Sequence, residues 1–212
     1  MALPLVGASG LVIGSDIAPE MLQAAHVRLN APAFRPVAAD GQALPFKDGS
    51  FDAVVCQLGL QFFPDPAMGL KEFRRVLRPG ARAAVCVHST PDGTPMWSVL
   101  AETLSSFLPE RRNVLRLSWA LADQGRLERL FAAAGFRDVS VEREIRSDVI
   151  ESFDEYWAPI ETGTGQQPQS YLALAEADRH SVREKVKTQL AQFETNGKLS
   201  MSAEMLICSG RA

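Results

Sequence analysis

Short apolar runs bounded by turn residues alternate along this chain with stretches whose apolar residues recur at helical spacing. The runs Leu11 to Gly14, Phe34 to Ala39 and Phe51 to Cys56 are apolar without alternation. That is the pattern of strands buried on both faces of a parallel sheet. They close on Ser15-Asp16, Asp40-Gly41 and Gln57-Leu58-Gly59, small or polar residues in each case. Between the first two runs, Pro19 opens a helix with Met21, Leu22, Ala25 and Leu29 on one face. In open sheets of this kind ligands bind beyond the carboxyl ends of the strands, so the three polar ends read as one site.

The pattern then repeats. Asp65 is an N-cap followed by Pro66, and Leu70, Phe73, Val76 and Leu77 form the inward face of a helix stopped by Pro79-Gly80. Ala83 to His88 is the next buried strand. Helical excursions are expected over about 91–134 and 147–195. The first holds a helix from Thr94-Pro95, with Met96, Trp97, Leu100, Leu104 and Phe107, and another after Asp123, with Leu127, Leu130 and Phe131 inward and Gly135 as its stop. Val139, Val141 and Ile145 alternate with polar residues as in a strand with one solvated face. Phe153, Tyr156, Trp157 and Ile160 mark a short helix. A polar loop rich in Gly and Gln separates it from a helix carrying Val182, Val186 and Leu190. Asn196-Gly197 is a turn, and Met201 to Ser209 is a final strand expected to pair with the strand at Val139.

Length and composition narrow the picture. The 212 residues contain no linker or low-complexity run, so one domain over 1–212 is expected. A formal net charge of -3 and scattered Lys and Arg provide no basic stripe for nucleic acid, which leaves a small or neutral partner. Cys56, Cys86 and Cys208 lie in apolar runs without a second Cys or a His at ligand spacing. They read as buried thiols of a reducing compartment, with no metal. No run is long enough to span a membrane and no signal-peptide pattern opens the chain, so a cytoplasmic location is expected. Gly7, Gly10 and Gly14 lack the G-x-G-x-x-G spacing and precede a strand, and so read as a turn.

Three motifs in order carry a resemblance. Val12 to Leu22 (VIGSDIAPEML), Ala39 to Phe46 (ADGQALPF) with Phe51-Asp52, and Arg75 to Gly80 (RVLRPG) resemble the class I S-adenosylmethionine-dependent methyltransferases. Within that family the chain is similar to the small-molecule branch that includes quinone-pathway enzymes. The resemblance implies an α/β, Rossmann-like fold: a mostly parallel sheet, an antiparallel C-terminal strand and helices on both faces. It implies S-adenosyl-L-methionine as cofactor, with the Asp16 carboxylate on both ribose hydroxyls and Ile17 on the adenine face with Met21 behind it. Asp40 and Gly41 would meet the adenine edge, and Gln57 the methionine end. His88, at the end of its strand on the same rim, becomes the candidate to remove a proton from a small acceptor. Each also has a plainer reading. Asp16 starts a helix turn, Asp40-Gly41 make a tight loop, Gln57 is an exposed strand end, and His88 is structural. His26 and His180 fall on helix surfaces, while Trp97, Phe107, Tyr156 and Trp157 read as core of the helical excursions.

The family has a central first strand ending in a Gly-rich loop, and this sequence has no counterpart. Met1 to Val6 resembles only the tail of the helix that follows that loop. The expectation is therefore a methyltransferase impaired by a hole in its sheet, between the strands at Val12 and Val54, and self-associating there. One alternative is a non-catalytic remnant acting as a binding or oligomerisation module. Another, a nicotinamide-dependent oxidoreductase, shares the acidic residue after the second strand of that fold but leaves the Asp40 to Phe46 motif without a role.

Overall fold

A computed structural model describes residues 2–163 and 165–212; Met1 of the opening segment and Thr164 of the expected polar loop lie outside them. After a short 3-10 turn at Leu3–Leu5, β1 (Val12–Asp16), α1 (Pro19–Leu29) and β2 (Phe34–Ala38) form a strand-helix-strand unit with parallel strands, Val12 opposite Phe34 and Asp16 opposite Ala38. Pro19 begins α1 as its fixed backbone favours, and Asn30 ends it in the left-handed region at φ 40°, donating its N–H to His26 O.

A second unit follows: β3 (Phe51–Gln57), a 3-10 turn at Leu60–Phe62, α2 (Pro66–Val76) and β4 (Leu77–His88), with β3 and β4 parallel. Asp65 caps α2 as expected, its carboxylate accepting from the N–H groups of Ala67 at 2.9 Å and Met68 at 3.1 Å. Pro79-Gly80 does not end this helix. Leu77 is already extended (ψ 142°), and Pro79 and Gly80 lie within the irregular start of β4, where the Gly80 N–H donates to Ala212 O. The residue before a proline disfavours helix, so the helix stops a step earlier than a proline-glycine stop suggests.

The rest of the chain contributes α3 (Pro95–Phe107), α4 (Arg112–Leu115), α5 (Gln124–Ala133), β5 (Arg137–Ile150), α6 (Phe153–Glu161), α7 (Gln166–Leu172), α8 (Glu176–Leu190), β6 (Glu194–Thr195) and β7 (Lys198–Arg211). β7 runs antiparallel between β4 and β5, the pairing expected for the closing strand. Asn196 and Gly197, at φ 53° and 79°, turn β6 into β7, both residues being tolerant of that backbone. α7 occupies the end of the stretch expected as loop. Its buried Ser170 and Tyr171 pack where only Gln and Pro had marked the sequence, so tertiary burial outweighed weak local preference.

The architecture is a mixed α/β one with two hydrophobic centres. Leu70 and Phe73 of α2, Leu127 and Phe131 of α5, and Ala83, Val85 and Val87 of β4 meet Leu206 and Cys208 of β7 in the first. The second joins Leu100 and Leu104 of α3, Tyr156, Trp157 and Ile160 of α6, Tyr171 of α7, and Val182, Val186 and Leu190 of α8 to Leu199 and Met201 of β7. One long strand thus belongs to both.

The strands divide into two sheets. β1 and β2 form a pair of their own, while β3, β4, β7 and β5 lie in that order, with β6 added on β7. No ladder joins β1 to β3, so the direct pairing that could have closed the expected hole is not adopted. Val55 of β3 is 71% exposed, unusual for a strand that has a parallel neighbour.

Candidate functional site

The space between β1 and β3 is a cleft of about 510 Å³. Asp16 and Ile17 line it from the end of β1, Asp40 and Gly41 from the loop after β2, and Gln57 from the end of β3. All five cofactor candidates therefore converge on one cavity, which runs along β3 from Phe51 and reaches the strand carboxyl ends where a crossover sheet holds ligands. Met21, by contrast, is half-exposed on α1 and does not line the cleft.

The plainer roles are visible too. The Asp16 carboxylate accepts the Ala18 N–H at 2.9 Å through Oδ1 and so shapes the entry to α1. Its Oδ2 makes no hydrogen bond among the described residues, and the residue lines the cleft. Asp40 Oδ1 takes the Gln42 N–H at 2.8 Å and holds the loop tight. A Cβ on Gly41 would run into the Phe63 ring, so glycine is what lets that aromatic wall approach the backbone. Ile17 is 75% exposed and Gln57 is exposed, both bordering the open side of the cleft. Leu58, just after Gln57, holds φ 54°, a costly conformation for a non-glycine residue, and its N–H donates to Cys86 O at 2.8 Å.

The loop that follows Gly41 is anchored by contacts that local sequence does not announce. Arg75 donates to Glu72 through Nε and Nη2, each at 2.7 Å, to Asp48 at 2.8 Å, and to the carbonyls of Phe46 at 2.7 Å and Leu44 at 2.9 Å. Glu72 also accepts the Leu44 N–H at 2.9 Å. The Arg75 hydrogen bonds hold the Glu72 carboxyl below its ordinary range. The first residue of the RVLRPG motif is thus a staple between α2 and residues 44–48.

His88 does not line the cleft. It is buried beside it, with Nδ1 at 3.3 Å from Gln61 Nε2 and its ring 4.6 Å from Trp97 and 6.3 Å from Trp119, centroid to centroid. Burial pushes the imidazole below its ordinary pKa, with the Ser118 backbone opposing this to a lesser extent. Trp97 consequently belongs to the surroundings of His88, whereas Tyr156 and Trp157 are core, as their spacing suggested. Gln61, Trp119 and Phe63 were not singled out from sequence. The cysteines are free thiols: Cys208 is buried, with its pKa raised to about 12, and Cys56 and Cys86 are half-buried and raised for the same reason, burial. No cluster of metal-binding side chains occurs among the described residues, and no described helix is long and apolar enough to cross a membrane.

Residues 1–85 match the methyltransferase domain family. Demethylmenaquinone methyltransferase of Corynebacterium kroppenstedtii is 36% identical over 140 residues, covering 61% of this chain and 59% of that protein. The chain thus spans about three-fifths of the length of the curated relatives it matches. Among solved structures, the YcgJ protein of Bacillus subtilis superposes with a TM-score of 0.58 at 17% identity, over 99% of this chain and 86% of that one. Phosphoethanolamine N-methyltransferase 2 of Haemonchus contortus, solved with phosphomonomethylethanolamine and S-adenosylhomocysteine, gives 0.56 at 17% identity over 99% and 45%. With the motifs at Asp16, Asp40 and Arg75 in order along a fold of this kind, the chain is similar to the class I S-adenosylmethionine-dependent methyltransferases, and its first 85 residues match their methyltransferase domain.

Proposed function

We propose that this chain binds S-adenosylmethionine in the cleft between β1 and β3 and serves methyl transfer to a small organic acceptor, of the quinone-precursor type named for its relatives. The observation that carries this reading is the convergence of Asp16, Ile17, Asp40, Gly41 and Gln57 on one cavity. The residues fit the cofactor: Asp16 has a carboxylate oxygen without a partner among the described residues for the ribose, and the Phe63 ring packed on Gly41 gives the cleft an aromatic wall beside Asp40 for adenine. When bound, the cofactor supplies a methyl group already activated on a sulfonium. The chain's own residues then have to bind, align and exclude water, which accounts for much of the acceleration such a reaction needs. His88, kept neutral by burial, is the side chain proposed to take a proton from the acceptor, and Gln57 the one to meet the amino-acid end of the cofactor. The three free thiols fit a reducing, cytoplasmic setting.

Calorimetric titration with S-adenosylhomocysteine tests the reading. Asp16→Ala should weaken binding by roughly 1.5 to 3 kcal/mol, the range for hydrogen bonds to a charged group. Equal affinity for parent and variant would remove Asp16 from the site. A second reading is favoured by the exposed Val55 and Ile17 beside an unpaired strand edge: the cleft recruits a second copy of the chain, and the protein is a non-catalytic association module. Light scattering separates the two, because a stable monomer that binds the cofactor product excludes the module.

A further inference from the structure

The last two turns of α2 present different chemistry to their two sides. Phe73 and Val76 line the cleft. Lys71, Arg74 and Arg75, at the i, i+3, i+4 spacing of one helix face, line another cavity of about 440 Å³ on the opposite side. That volume lies within the range of about 300 to 1,000 Å³ found for small-ligand sites. Arg137, the first residue of β5, adds a fourth cation to the lining. Four of the nine lining residues are thus Lys or Arg, in a chain where 22 of 212 are and the net charge is -3. The buried Leu77 and Ala134 give the cavity an apolar patch, beside which a charged hydrogen bond is stronger than in open water.

Part of this charge has a plain structural role, since cations are favoured in the last turn of a helix, where Arg74 and Arg75 lie. That role does not explain how the four are partnered. Arg75 is fully engaged, and it takes both nearby carboxylates, Glu72 and Asp48. Arg74 commits only Nε, which donates to Gly135 O at 3.0 Å. Its guanidinium lies so close to Gly135 that a Cβ there would be 3.1 Å from Nε. The planar fork is therefore held in place, while its two Nη groups have no partner among the described residues. Arg137 follows Gly135 by two positions, and the Asp138 carboxylate beside it is taken by Arg211 at 3.5 Å. Neither the Lys71 nor the Arg137 side chain has a hydrogen-bond or ion-pair partner among the described residues. Ala212 lines the cavity as well, its carbonyl oxygen accepting the Gly80 N–H at 3.0 Å.

We infer that this cavity is a second ligand site, which takes a phosphate group on the Arg74 fork with Arg137 and Lys71 supplying further charge. The donor set points to that chemistry. A fixed guanidinium offers parallel N–H groups matched to two oxygens of one phosphate, and a lysine adds a point charge with three donors. No carboxylate side chain in the lining is left to compete, because Asp48 is paired with Arg75 at 2.8 Å. The cations come from two elements, α2 and β5, so a ligand carrying more than one phosphate oxygen pair can be held from both sides. The site is divided from the cleft by α2 and does not rest on the methyltransferase reading.

The probes are inorganic pyrophosphate, titrated calorimetrically into the full chain at fixed ionic strength, and vesicles of phosphatidylglycerol or phosphatidylcholine, followed by co-sedimentation. Arg74→Gln and Arg137→Gln should each weaken binding roughly tenfold. Arg28→Gln, which removes a charge from the exposed surface of α1, should change it by less than about twofold. Arg74 and Arg137 are exposed, so these substitutions leave the core intact. Pyrophosphate binding without attachment to either vesicle assigns a soluble ligand. Attachment to phosphatidylglycerol alone that Arg74→Gln abolishes assigns a lipid headgroup. No binding of pyrophosphate or of phosphatidylglycerol vesicles, an equal loss with Arg28→Gln, or affinity that survives both arginine substitutions overturns the inference. Arg74→Gln should leave the titration with S-adenosylhomocysteine unchanged, and Asp16→Ala should leave that with pyrophosphate unchanged, so the two sites fail separately.

Discussion

The two sheets of this molecule use similar sequences to opposite effect. β4, at the heart of the larger sheet, has Ala83, Val85 and Val87 fully buried under α2 and α5 and a hydrogen-bonded strand on each side. β1 has one neighbour, no fully buried residue, and a helix, α1, of which only Leu22 is buried. Both strands are short apolar runs, so the difference lies in what each packs against and not in its own residues. An apolar run predicts that a strand forms; the second neighbour and the covering layer decide how much stability it returns. The same contrast appears within β3, where Val54 and Cys56 pack on the main core and Val55, pointing the other way, meets solvent.

The largest effect expected from this contrast is in the core itself. Phe131→Ala should cost about 3 to 5 kcal/mol in chemical denaturation, while Val55→Ser should stay within about 0.5 kcal/mol. A penalty above about 1 kcal/mol for Val55→Ser would show that the edge of β3 is covered in solution, and the contrast between the sheets would fall. Next in size, Asp65→Ala removes the side-chain cap of α2 and should cost about 1 kcal/mol, in a helix that supports both the main core and the cleft wall.

The smallest effect separates core from cleft by pH. The folded-state pKa of His88 lies below its ordinary value of 6.5, so the unfolded chain binds the proton more readily. Its contribution is complete above about 6.5 and is lost as pH falls through the window beneath that value. The Glu72 pKa is likewise lowered, from an ordinary 4.5, by Arg75, so its contribution persists to lower pH and is lost only below about 4.5. Melting temperatures measured from pH 7.5 to 4 should therefore fall in two stages. His88→Phe should flatten the first and leave the second.

Much of this arrangement is legible from residues close together in the chain. The Asp65 cap, the left-handed Gly135 at φ 89° after α5, the Asn196-Gly197 turn and the polar strand ends that meet at the cleft are all governed by neighbours within a few positions. What the sequence hides is nonlocal. Gln61 and His88 are 27 positions apart, Thr94 and Trp119 25, and Arg75 reaches back 31 positions to the Leu44 carbonyl. No spacing rule links such pairs, because each depends on how the strands are ordered in the sheet. The division into two sheets is of the same kind: the runs at Val12 and Val54 look alike, and only the ladder shows that they do not pair.

The Arg75 staple bears on how such a protein is assembled in time. Its five hydrogen bonds close the loop at residues 44–48 onto α2 using groups from one contiguous stretch, Leu44 to Arg75. Neither β1 nor Asp16 takes part. The rim of the site on that side can therefore form on a nascent chain as soon as α2 has emerged, before β7 arrives from the far end to complete the main sheet. A ligand would meet a wall already in place, with the entropy of ordering that loop lost during folding and not at the moment of binding.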